Sequence, residues 1–239
     1  GISGRFVGKT SVTFEVIKGQ INSDTTTITV LDKDDDIRYN GKELTPGIEV
    51  EYFDGTSSKK LEQGQDYTVK YENNVEVCNN TAKVIVTGIG DYTGQLTQYF
   101  TIEKGNIEKD VLIHPITPSE YTGSQAKPKL SVINKTSGIP LVEEKDYHIN
   151  YKDNAVNVGE YELSIDGRGS YDQNTWQIAK YEVVPAVLEN SWISEIGNQV
   201  YTGQTHEPQL TVRNNFGTEL KVKDDYLVDY EKSAKEVGY

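Results

Sequence analysis

The chain has 239 residues, enough for one large or two to three small domains. Its 24 basic and 37 acidic side chains give a formal charge of −13, which repels a phosphate backbone and argues against nucleic acid as a partner. A mean hydropathy of −0.60 leaves no stretch that reads as a membrane span or a signal peptide, and a single cysteine excludes an internal disulfide.

With 16 Tyr, 21 Gly and no Met, the composition is that of strands and turns. Self-similarity organises the chain. Residues 1–20 open with Gly4-Arg5-Phe6-Val7-Gly8, followed by Phe14-Glu15-Val16 and Lys18-Gly19. The same succession returns at Gly90 to Gly94, Phe100-Thr101-Ile102 and Lys104-Gly105, so 1–20 is expected to be the C-terminal remnant of a preceding copy. The first full copy, 21–105, contains the acidic run Asp32 to Glu43. There Asp32, Asp34, Asp36 and Glu43 have the spacing of a calcium loop, calcium being the one cofactor the sequence suggests. Ile37 stands where such a loop needs glycine and Arg38 adds a positive charge, so a solvated acidic linker is the competing reading.

Three motifs then recur in register with a period of about 80 residues. Tyr39-Asn40-Gly41, Tyr121-Thr122-Gly123 and Tyr201-Thr202-Gly203 each lead, seven residues after the tyrosine, to Pro46, Pro128 and Pro208. Leu61, Leu141 and Leu220 each stand five residues before Asp66-Tyr67, Asp146-Tyr147 and Asp225-Tyr226. Tyr71, Tyr151 and Tyr230 follow four residues later. The alternation Tyr67-Val69-Tyr71, Tyr147-Ile149-Tyr151 and Tyr226-Val228-Tyr230 has the period of two that predicts half-buried strands, as does Tyr161-Leu163-Ile165. Asn40-Gly41, Asp54-Gly55, Asn73-Asn74 and Gly88-Ile89-Gly90 supply turns, and no stretch predicts a helix. The expected units are therefore 1–20, a full copy 21–105, a full copy 106–186 and an N-terminal portion 187–239, all antiparallel sheet. Tyrosine suits such thin domains, because its ring fills the interior while its hydroxyl reaches the edge.

The pattern Tyr-Thr-Gly, Pro, Asp-Tyr-x-Val-x-Tyr, Asn-Asn, Gly-x-Gly-x-Tyr-x-Gly and Phe-x-Ile resembles the tandem bacterial immunoglobulin-like repeats of secreted and wall-attached proteins in Gram-positive bacteria. The resemblance covers nearly the whole chain. It implies an all-β fold of tandem immunoglobulin-like β-sandwich domains in an elongated array, a non-catalytic stalk or spacer of an extracellular surface protein or adhesin, and neighbouring repeats as the first partners. Mucin-binding β-grasp repeats have related turn sequences, which leaves the sheet topology open.

Other residues bear on function. Cys78 takes the place of Val158 and Val237 and reads as a small, partly buried apolar residue rather than a reactive thiol. Trp176 and Trp192 flank the junction near residue 186, where an indole could pack between domains or, with exposed Tyr side chains, stack on a host or microbial glycan, a host or microbial protein being the other outside partner. No Gly-x-Ser-x-Gly elbow, phosphate loop or His-Glu-x-x-His motif is present, so catalysis is not expected. Short links at Glu103 to Asn106 and Val183 to Ala186 predict a semi-rigid rod. A further expectation is head-to-tail assembly, in which segment 1–20 of one chain completes 187–239 of another by strand addition.

Overall fold

The computed structural model describes residues 8–31, 37–152 and 154–230, and it is nearly all β. The chain divides into two units, Gly1–Gly105 and Asn106–Tyr239.

In the first unit the strands are β1 (Gly19–Ile21), β2 (Thr26–Leu31), β3 (Gly47–Phe53), β4 (Ser58–Lys60), β5 (Tyr67–Glu72), β6 (Cys78–Gly88) and β7 (Tyr92–Ile102). One sheet runs β1-β7-β6-β5 and the other β2-β3-β4. Neighbours are antiparallel except β1, which lies parallel to β7 with Gly19 opposite Tyr92 and Ile21 opposite Gly94. Turn chemistry sets the register. Asp54 accepts hydrogen bonds from the amides of Thr56 and Ser57, both at 2.8 Å, and Gly55 takes φ +95°, which folds β4 back on β3. Ile21, Ile28, Val50, Leu61, Tyr67, Val84, Val86 and Tyr92 form one buried cluster drawn from both sheets. Burying each such aliphatic side chain contributes about 1.5 to 3 kcal/mol, so this shared face is what holds the two sheets together.

The second unit begins with a helical turn, α1 (Ile107–Asp110), where the sequence predicts none. Its ends explain it. The Asn106 side chain accepts from Lys109 N at 2.9 Å while Asp110 accepts from Asn106 N at 2.7 Å, a reciprocal cap that satisfies amides a single turn leaves open. Then come β8 (Val111–Ile113), β9 (Ser119–Glu120), β10 (Val132–Asn134), β11 (Tyr147–Tyr151), β12 (Gly159–Gly167) and β13 (Trp176–Val184). The sheets are β11-β12-β13-β9, with β9 parallel to β13, and β10-β8. Residues 185–230 carry a 3-10 turn at Asn190–Trp192, isolated bridges, and a small core of Val212, Leu220 and Tyr226. The strand expected at 226–230 keeps its alternation, with Tyr226 buried and Leu227 and Asp229 exposed. It has no ladder there, because nothing pairs with it beyond the Val222 bridge among the described residues.

The tyrosines of the alternating segments point inward. Tyr67, Tyr147 and Tyr226 are buried, as are Tyr92, Tyr171 and Tyr181. Three kinds of bond recur, two of them at equal sequence offsets and the tyrosine-to-proline one spanning 25, 23 and 22 residues. The hydroxyls of Tyr71, Tyr151 and Tyr230 donate to the carbonyls of Pro46, Pro128 (3.2 Å) and Pro208 (2.7 Å). The carboxylates of Asp66, Asp146 and Asp225 accept from the amides of Glu62 (3.0 Å), Val142 (2.8 Å) and Lys221 (2.8 Å). Gly64, Glu144 and Lys223, all at positive φ, give their amides to the carbonyls of Tyr67, Tyr147 and Tyr226 at 2.8, 2.7 and 2.8 Å. Tyr71 meets Phe100, and Tyr151 meets Tyr181, edge to face with centroids 6.4 Å apart in both cases.

Candidate functional site

The side chains best placed to meet a ligand lie around Trp192, in the second unit. The 3-10 turn forms because Trp192 N bonds to Glu189 O at 3.0 Å. The Trp192 carbonyl then accepts from Arg213 N at 2.9 Å, which ties the turn to the segment around Val212. The indole is half-buried against Val212, Leu220 and Tyr226.

Tyr121 approaches from the other side. Its amide bonds to Val184 O at 2.8 Å, extending the parallel edge of β9 on β13, and its hydroxyl donates to Asp225 Oδ1 at 3.0 Å. That hydrogen bond, with lesser contributions from burial and from the charges of Asp225 and Asp224, raises the phenol above its ordinary value. Asn214, buried, donates from Nδ2 to Thr122 O at 3.0 Å and accepts from Phe216 N (3.1 Å) and Thr218 N (2.9 Å). The result is a cleft of about 330 Å³ whose walls include Tyr121, Leu188, Trp192, Asn157, Asp224 and Asp225. A second cleft of about 470 Å³, lined also by Phe216, Glu120 and Lys127, shares Tyr121, Ala186 and Trp192 with it.

The structure separates the two tryptophans singled out from the sequence. Trp192 lines both clefts, whereas Trp176, 59% exposed on β13 opposite Asp166, lines neither. Of the calcium residues, Asp32, Asp34 and Asp36 lie outside the described residues and Glu43 is exposed. Among the described residues no three His, Cys, Asp or Glu side chains gather to hold a metal ion. Cys78 is a half-buried free thiol packed on Ala82, Phe100 and Ile102. Burial raises its pKa, but hydrogen bonds with Thr81, Ala82 and Ile102 outweigh that and leave it lowered.

A shallow basin of about 520 Å³ next to β11 holds an ionic network. Glu144 bridges His148 Nδ1 at 2.6 Å and Arg168 Nη1 at 2.9 Å, and its carboxyl is lowered mainly by the His148 hydrogen bond. These groups are solvent-exposed, so the network contributes little to stability and presents no buried acid or base.

Tyr121, Asn214 and Asp225 are the residues sequence reasoning passed over. Tyr121 and Asp225 belong to the recurring motifs and read there as packing, and no spacing distinguishes Tyr121 from Tyr39 or Tyr201. Comparison with known protein families, with curated proteins and with solved structures finds no match for this chain.

Proposed function

We propose that the chain is a non-catalytic spacer of a bacterial surface or secreted protein, made of immunoglobulin-like β-sandwich repeats joined end to end outside the cell. One observation carries the reading. The tyrosine-to-proline-carbonyl bond recurs three times along the chain over similar spans of 25, 23 and 22 residues, as repeated copies of one module would show. Two further features support it. The expected links between copies are only a few residues long, and the charge of −13 keeps neighbouring molecules from associating. Modules of this kind keep their own cores and gain length by addition.

Small-angle scattering on the 239-residue chain tests the proposal. A particle much longer than it is wide is expected, and a pair-distance distribution typical of a compact sphere would remove the spacer reading. Glycan binding is the second reading, favoured by the exposed indole of Trp176. Retention on a glycan array that disappears in Trp176→Ala would support it.

A further inference from the structure

We propose that the cleft between Tyr121 and Trp192 is a binding site for a small organic ammonium ion. This inference is independent of the spacer reading.

The cleft's volume, about 330 Å³, falls at the small end of ligand sites. Its apolar walls are Val158, Pro185, Ala186 and Leu188, with the rings of Tyr121 and Trp192. Among its described lining residues Asp224 and Asp225 are the only charged groups, and none is Lys or Arg. Asp224 is exposed and has no ion-pair or hydrogen-bond partner among the described residues. Two carboxylates against low-dielectric walls focus a negative potential, and aromatic faces attract cations through their quadrupole. An anion is repelled from such a place.

A sugar is disfavoured for a different reason. Sugar recognition needs several free, directional hydrogen-bonding groups, and Tyr121, Asn214 and Asp225 spend theirs on the protein. Asn214 uses both its amide nitrogen and its oxygen on Thr122, Phe216 and Thr218. Asp225 accepts from Tyr121 Oη through one oxygen and from Lys221 N through the other. What remains is the Asn157 amide, the Asp224 charge and the π-density of two rings, and the last two dominate. An ammonium carried on an apolar body satisfies both.

The test follows the indole N–H resonance of Trp192 in the Trp176→Phe chain, where it is the single indole. Choline, n-butylammonium, the neutral choline isostere 3,3-dimethylbutan-1-ol, a neutral oligosaccharide set and sodium chloride are each titrated. Saturable shifts with either ammonium, at least about fivefold weaker binding of the neutral isostere, and no response to salt are expected. The tighter of the two ammonium ions identifies whether the site reads N–H donors or methyl groups. Asp224→Asn, an exposed position whose change spares the fold, is expected to weaken binding by about three- to tenfold. No ammonium-specific shift, equal binding of the isostere, an unaltered affinity in Asp224→Asn, or a response confined to the oligosaccharides would each overturn the proposal.

Discussion

The hydroxyl of Tyr151 donates to the carbonyl of Pro128 across 3.2 Å, joining the strand that carries the tyrosine to the loop that carries the proline, 23 residues upstream. The ring meanwhile stands edge to face on Tyr181, so one side chain contributes both a directed bond and packing. Tyr151→Phe keeps the ring and leaves the carbonyl of buried Pro128 without its donor. Urea unfolding is expected to show a loss of about 1 to 2 kcal/mol with an unchanged slope. Tyr151→Ala, which also opens a cavity, is expected to cost about 3 to 5 kcal/mol.

Glu72 is one acid-sensitive group of the first unit, its carboxylate meeting Lys70 at 2.6 Å and its cross-strand neighbour Lys83 at 2.8 Å. Those hydrogen bonds, Lys70's first, hold its pKa at about 2 instead of 4.5. Because the folded value is depressed, the unfolded chain binds the extra proton in that interval. The stabilisation, small because water screens the pair, is complete above pH 4.5 and is lost as pH falls towards about 2. Denaturant midpoints recorded across this range are expected to fall less steeply in Glu72→Gln.

Two glycines with positive φ should respond differently to alanine. Gly55, at φ +95°, has nothing within 4 Å of where a Cβ would sit, so Gly55→Ala carries only the conformational cost, roughly 1 kcal/mol. Gly169, at φ +57°, would place its Cβ 2.6 Å from the backbone oxygen of Lys145. Gly169→Ala is expected to be the worse of the two by at least about 1 kcal/mol in thermal or urea unfolding.

At the Trp192 cleft, Tyr121→Phe removes one hydrogen bond to an exposed carboxylate and should cost up to about 1 kcal/mol. Asn214→Ala removes three bonds from a buried amide and should cost about 2 to 3 kcal/mol. Hydrogen exchange is expected to rise in residues 185–230 for both variants while β11, β12 and β13 keep their protection.

The sequence carried different parts of this structure to different degrees. Alternation at Tyr67-Val69-Tyr71 and Tyr147-Ile149-Tyr151 marked β5 and β11, because a period of two reports directly on which side chains face a core. It held no information on which strands neighbour one another, so the parallel placement of β1 on β7 was not legible. The turn at Ile107–Asp110 was missed because four residues are too few to show a helical period, and only Asn106 and Asp110 announced it. Trp192 and Trp176 looked equivalent from their spacing about the junction. A 3-10 turn and its link to Arg213 separate them, and the Tyr121 to Asp225 bond that completes the cleft spans 104 positions.

The parallel edge of the first unit has a mechanical corollary. In the first unit β1 is the first strand and β7 the last, and the two run side by side in the same direction. A stretching force applied through the backbone therefore drags these partners past each other lengthwise, and their crossing hydrogen bonds share the load at once. A hairpin pulled from its open end would instead peel apart one bond at a time.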